Sequence, residues 1–225
     1  MTDPDTRPVV IFCADTDTGY RLAQLLRREK RQVVAVMRQR ADPSLVVKMG
    51  CEVVTGDPTS RDDVLSILRD FAALEPAVVC MLGGTPQLNS QGNLNVIDAV
   101  QTCGLRRLIM LTSIGCGDSL VAVDPFVKAF IGKAIKAKNW AETQLQSTDL
   151  DWTIIRPGGM VRRATRGEPI LVTNPNVSGY INVFDLGDVI YQVLRSPATI
   201  RRIYTAVDSA RAFDVKGDPL VPVQL

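Results

Sequence analysis

Six short apolar runs, five to seven residues long, punctuate this chain, and all but the last lead into a segment with helical features. The runs are Pro8–Cys13, Gln32–Arg38, Cys51–Asp57, Ala77–Leu82, Arg107–Ser113 and Trp152–Arg156. Their continuous rather than alternating apolar character predicts strands buried on both faces, as in a parallel sheet. Between the first two, Asp15–Gly19 supplies N-cap residue types, and Leu22, Leu25 and Leu26 recur at helical spacing through about Lys30. Further helices are predicted over Val46–Gly50, Ser60–Ala73, Asn93–Cys103 and Asp124–Ser147. Strands alternating with helices, joined by right-handed crossovers, make a doubly wound α/β fold with helices on both faces. One domain over residues 1–225 fits the length. In such a sheet ligands sit beyond the C-terminal strand ends, where strand order reverses.

Composition narrows the function. Lysine plus arginine is 26 and aspartate plus glutamate 24, a net charge of +2, which argues against a surface built to wrap nucleic acid. No apolar run approaches the ~18 residues of a membrane span. The polar start, Met1 to Arg7, leads straight into the first run and does not read as a signal peptide. Five scattered cysteines without a C-x-x-C pair argue for buried thiols in a reducing cytosol, so a cytoplasmic location is expected. Histidine is absent, which removes histidine-based zinc sites, Ser-His-Asp triads and histidine bases; no metal site is expected.

Longer segments resemble one family. Ala137-Lys-Asn-Trp-Ala-Glu142, with Ser147-Thr-Asp-Leu-Asp-Trp-Thr-Ile-Ile-Arg-Pro-Gly-Gly159, is similar to an A-K-x-x-A-E…S-G-L-D-Y-T-I-x-R-P-G-G segment of the atypical short-chain dehydrogenase/reductases. Gly56-Asp57, Leu108–Gly115 and Ile181–Val189 also look like this family, in its NmrA-like and flavin- or biliverdin-reductase-like branch. The resemblance implies a Rossmann fold, a nicotinamide dinucleotide and substrate-side elements from about residue 157.

Two departures stand out. The family's G-A-T-G-x-x-G phosphate loop falls on Cys13-Ala-Asp-Thr-Asp-Thr-Gly19, where only Gly19 survives. Glycines there let the backbone turn tightly and approach a pyrophosphate. Thr16 adds bulk, and Asp15 and Asp17 add like charge. One such contact near 4 Å costs on the order of 4 kcal/mol at an effective dielectric of about 20, against ~0.3–1 kcal/mol from a helix N-terminus. Dinucleotide binding is therefore weakened unless the aspartates face solvent or cap the helix, Asp17 being the expected N-cap. The second departure is the family's Tyr-x-x-x-Lys pair: Lys138 matches the lysine, but Ala134 stands at the tyrosine.

By resemblance, Lys138 and Ser113 are the candidate catalytic residues. Thr16, Asp17, Thr18, Gly19, Arg38, Asp57, Leu82, Gly83 and Pro157 are the candidate cofactor-binding residues. Arg38 closes the second strand where NAD-binding relatives carry an acid, so NADP is the expected cofactor. Basic residues on the substrate side (Lys128, Lys133, Lys136, Arg162, Arg163, Arg166) read either as a solvated face or as a grip on an acidic ligand or protein. Arg156, inside an apolar strand, is expected to pair with an acid. Trp140 and Trp152 are expected in the core. Two functions stay open: an NADP-dependent reductase passing hydride to a planar acceptor such as a flavin, quinone or tetrapyrrole, and a non-catalytic sensor, scaffold or assembly factor whose dinucleotide binding is weakened or lost.

Overall fold

The computed structural model describes residues 7–225, so the expectation for Met1 to Thr6 lies outside the described residues. Strands β1 (Val9–Phe12), β2 (Val33–Met37), β3 (Glu52–Thr55), β4 (Ala77–Cys80), β5 (Arg107–Leu111) and β6 (Asp151–Pro157) occupy the six apolar runs. Helices α1 (Asp17–Arg28), α2 (Ser44–Lys48), α3 (Arg61–Phe71), α4 (Asn93–Thr102) and α5 (Pro125–Gln146) alternate with them. The remainder builds β7 (Gly159–Val161), β8 (Pro169–Val172), β9 (Val177–Asn182), α6 (Val183–Arg195), β10 (Arg202–Asp208) and β11 (Ala212–Asp214).

The main sheet is larger than the six parallel strands expected. It runs β3-β2-β1-β4-β5-β6-β10-β8, with β10 parallel to β6 and β8 antiparallel to β10. A three-stranded sheet, β11-β9-β7, packs beside it. The order reverses between β1 and β4, which puts the switch point beyond the ends of these two strands. Successive residues of β1 point to opposite faces: Val9 and Ile11 pack with Leu22, Leu26, Ile190 and Val193, while Val10 and Phe12 pack with Val64, Leu68, Val96 and Leu145. Both faces being covered explains why β1, β2, β4, β5 and β6 read as unbroken apolar runs; β3, expected to be buried on both faces, is an edge strand, exposed at Glu52 and Thr55 and half-buried at Val53 and Val54. The outer margin of β8 is met by the C-terminal segment, where the Val223 amide donates to the Leu171 carbonyl at 2.8 Å.

Thr16, not Asp17, caps α1. Thr16 is extended (φ −108°, ψ 158°) and its hydroxyl accepts from the Gly19 amide, whereas Asp17 is already the first helical residue. Trp152 is buried as expected, but Trp140 is 50% exposed, on the outer face of α5. Cys51, Cys80 and Cys116 are buried, and Cys13 and Cys103 are half-buried. Among the described residues no helix is long and apolar enough to cross a membrane.

Candidate functional site

The loop after β1 carries the first strain. Cys13 holds φ 65°, a left-handed conformation that suits glycine and costs another residue roughly 1–2 kcal/mol. The turn thus keeps a glycine-type backbone at the first glycine position without the glycine. At Gly19 a side chain is impossible: a Cβ would stand 2.8 Å from the Ala14 Cα, the Ala14 oxygen and the Cys13 oxygen. The one glycine retained is the one that lets α1 seat against β1. The Thr16 hydroxyl donates to the Cys13 carbonyl at 3.0 Å and so bridges the turn. The Asp17 and Thr18 amides have no hydrogen-bond acceptor among the described residues and point from the helix N-terminus, the donor set an anion requires.

The aspartates neither face solvent nor cap the helix; each is matched by an arginine. The Arg38 Nε donates to Asp15 Oδ2 at 2.5 Å, with the Asp15 side chain 2% exposed and Arg38 69% exposed. That bond and the Asp15 charge raise the Arg38 guanidinium above its ordinary value. Asp17 pairs with Arg162 at 2.9 Å. The repulsion expected at the loop is therefore largely neutralised within the protein, at the cost of engaging Arg38. Arg166, from the same basic group, is likewise committed, to Asp185 and Asp188.

Two hollows flank the end of β4. One, of about 510 Å³, is lined by Arg38, Gly56, Asp57, Thr85 and Leu88 among others. Asp57 there accepts from the Thr59 amide at 2.8 Å and the Thr59 hydroxyl at 2.7 Å, so it builds a turn while facing the hollow. The other, a cleft of about 480 Å³, takes Gly84, Asn89, Ser113, Ala134, Lys138 and Pro157 into its walls. Gly83 and Gly84 lie between the hollows. Leu82 does not line either: its side chain is fully buried in the core.

Inside the cleft, Lys138 Nζ donates to the Thr112 carbonyl at 3.0 Å. Burial lowers the Lys138 ammonium below its ordinary value. A Cβ added at Gly83 would stand 3.5 Å from Lys138 Nζ and 3.7 Å from Asn89 Oδ1. Asn89 Oδ1 is buried and has no hydrogen-bond partner, and Asn89 is 2% exposed. Sequence reasoning missed Asn89; the available signal was the run Leu88-Asn-Ser-Gln-Gly-Asn-Leu-Asn95, too rich in helix-averse residues for a regular helix start, and Leu88–Gly92 forms a π-turn.

Beneath the cleft lies a fixed ionic support. Arg156 donates to both oxygens of Glu142, at 2.7 Å from Nη2, and to Asp118 at 2.5 Å, and the Thr112 hydroxyl donates to Glu142 at 2.5 Å. Arg156 is paired as expected, and Glu142 is 1% exposed. Thr112, whose carbonyl holds Lys138, is thus held by the same carboxylate. Lys138 and Ser113, the candidate catalytic residues, and Pro157, a candidate cofactor-binding residue, line one cleft. The loop and Arg38 lie on the other side of Gly83. Among the described residues no group of histidine, cysteine or acidic side chains could hold a metal.

Comparisons with known proteins bear on the family and the fold. Residues 14–197 match the family model described as NAD(P)H-binding. The anaerobillin reductase ChuY of Escherichia coli O157:H7 is 30% identical and superposes with a TM-score of 0.79, over 89% of this chain and 97% of that one. A short-chain dehydrogenase/reductase of Veillonella parvula, determined in complex with NADP, shares the fold at a TM-score of 0.73 and 14% identity, over 90% of this chain and 94% of that one. An uncharacterized chloroplastic protein of Arabidopsis thaliana is 25% identical over 182 residues, 74% of this chain and 64% of that protein. This chain spans between about half and two thirds of the curated relatives it matches. The chain belongs to the NAD(P)H-binding family, with the Rossmann fold of the atypical short-chain dehydrogenase/reductases.

Proposed function

We propose that this protein is an NADP-dependent reductase of the cytoplasm that acts on a planar small-molecule acceptor mainly by positioning. The observation that carries this reading is the pair of hollows that take in the segment just after β4, one lined by Arg38, Asp57 and Thr85 and the other by Gly84 and Lys138. A dinucleotide laid along the strand ends fits the residues present. The Asp17 and Thr18 amides would hold a phosphate, Arg38 would take a ribose 2′-phosphate, and Gly83 would give room to a ribose. Asn89 Oδ1, buried without a partner, fits a donor group such as a carboxamide or a ribose hydroxyl. When bound, the reduced cofactor supplies a hydride to the acceptor.

The remaining work falls to the chain. Lys138, held by the Thr112 carbonyl, would hold the ribose, and Ser113 would offer a hydroxyl to an acceptor oxygen. With Ala134 in place of a tyrosine, no phenol stands four residues before Lys138 to hand over a proton, so an acceptor whose reduced form draws its proton from solvent suits the site. The anaerobillin reductase among the similar structures supports a tetrapyrrole as one such acceptor; flavins and quinones share the chemistry. Calorimetry with NADPH and NADP⁺, followed by NADPH oxidation with each acceptor class, tests the reading. Absence of binding at millimolar nucleotide overturns it.

A second reading is favoured by the loop. The Thr16 hydroxyl already accepts from the Gly19 amide at 3.1 Å, and Arg38 is already engaged by Asp15. A non-catalytic sensor, scaffold or assembly factor, docking an acidic protein partner on the free lysines of α5, would tolerate both. Turnover with any acceptor excludes it; a stable apo fold with no nucleotide binding selects it.

A further inference from the structure

Helix α5 has three working faces. Ile135, Ala141, Glu142 and Leu145 are buried, and Val127, Ile131, Ala134 and Lys138 line the cleft. The third face carries Phe126, Phe130, Lys133, Ala137 and Trp140, at spacings of three and four residues that stack them along one side. Phe126 is 79% exposed, Phe130 88% and Trp140 50%. Across the cleft mouth Met160, Tyr180 and Phe213 are also exposed. This many exposed large apolar side chains on one helix face and at the neighbouring cleft mark an interaction surface.

Charge selects the occupant. Lys128, Lys133 and Lys136 are exposed on α5, whose only acid, Glu142, is buried. The nearest acids are spent: Asp124 caps the helix through the Phe126 amide at 2.8 Å, and Asp118 is bound to Arg156. A twofold contact with a second copy would bring these lysines against themselves, which like-charge repulsion opposes. A helix with aromatic residues beside unopposed lysines is instead the chemistry of an anionic bilayer surface.

We propose that α5 and the cleft rim seat on an anionic lipid bilayer, with Phe126 and Phe130 entering the boundary between headgroups and acyl chains and Lys133 and Lys136, on or beside the same stripe, on lipid phosphates. The cleft mouth then opens toward the membrane. This goes beyond the reductase reading, and its test needs neither nucleotide nor turnover. The apo protein is sedimented with phosphatidylcholine vesicles with and without one quarter phosphatidylglycerol, while tryptophan emission is recorded.

The expected result is binding to the anionic vesicles that falls with salt, with a blue shift from Trp140 that a Trp140→Phe variant loses. Phe126→Ser with Phe130→Ser should weaken binding about tenfold or more. Lys133→Gln and Lys136→Gln should each weaken it about fivefold. Both phenylalanines are exposed, so the variants keep the fold, and circular dichroism checks this. No sedimentation with anionic vesicles, or binding indifferent to the two phenylalanines, overturns the proposal. So does a wild-type dimer in solution that Phe130→Ser dissociates, which would give this face to a second copy.

Discussion

Asp15→Asn should turn a reluctant NADP site into a better one. In the wild-type protein the exposed Arg38 is bonded to the buried Asp15 carboxylate at 2.5 Å. A 2′-phosphate approaching Arg38 therefore meets a pair that is neutral overall. It gains the guanidinium and suffers the carboxylate behind it. With the Asp15 charge about 6 Å from the incoming phosphorus and an effective dielectric between about 20 and 50, the repulsion is about 1–3 kcal/mol per phosphate charge. Asparagine keeps the shape and an acceptor for Arg38 but removes that term. NADP⁺ affinity should rise about tenfold or more at low salt, and NAD⁺ affinity should rise less, because NAD⁺ lacks the 2′-phosphate and gains only relief at its pyrophosphate. Titration calorimetry of both nucleotides, at low and at ~0.5 M salt, reads the difference, which salt should shrink. Stability should move by no more than about 1 kcal/mol, since the Arg38 end is in water. Equal tightening of NAD⁺ and NADP⁺, or no change in either, would refute the reasoning that Asp15 and the phosphate compete for Arg38.

Three further outcomes follow from the site. Lys138→Met should raise the thermal midpoint by about 2–4 °C while lowering nucleotide affinity, because it removes a buried ammonium that has no carboxylate partner. Burial depresses the Lys138 pKa, so the unfolded chain binds that proton more tightly; stability should rise with pH toward the ordinary lysine value of 10.5, and the variant should flatten the rise in denaturant titrations. Glu142→Ala should cost about 3–5 kcal/mol in chemical denaturation, because it strands the buried Arg156; a cost below about 1 kcal/mol would refute the supporting role of this network. Burial, with the Asp15 charge, pushes the Cys13 thiol up to about 11. Native-state alkylation of Cys13 at pH 7.5, followed by peptide mass spectrometry, should run about a hundredfold slower than for an ordinary thiol and accelerate about tenfold per pH unit.

How much of this was legible in the sequence depends on which forces spoke locally. Five of the six strands were plain because burial on both faces leaves unbroken apolar runs; β3 was found as a strand, but its run did not reveal that it lies at the sheet edge and is only partly buried. Strand β10 was not, because Arg202-Ile-Tyr-Thr-Ala-Val-Asp208 mixes polar and apolar residues and its Thr205 and Asp208 are buried through hydrogen bonds and pairing with β8. The cap of α1 was misplaced by one residue, because Thr16 and Asp17 are both capping types and only the backbone angle at Thr16 decides between them. Trp140 was read as core, although its position follows the exposed stripe of α5 rather than the buried one. The Arg156 pairing was legible, since a charge inside an apolar strand requires an acid. The Arg38–Asp15 bond was not, because it joins side chains 23 positions apart across a loop whose course the sequence leaves open.

The C-terminal segment that hydrogen-bonds to Leu171 has a consequence for self-assembly. An uncovered marginal strand invites the same strand of a neighbouring molecule to continue the ladder, and repetition of that event yields ribbons. Here Val223 occupies a donor–acceptor slot on β8 that such a neighbour would need. Removing the last few residues should therefore lower colloidal solubility well before it lowers folding stability.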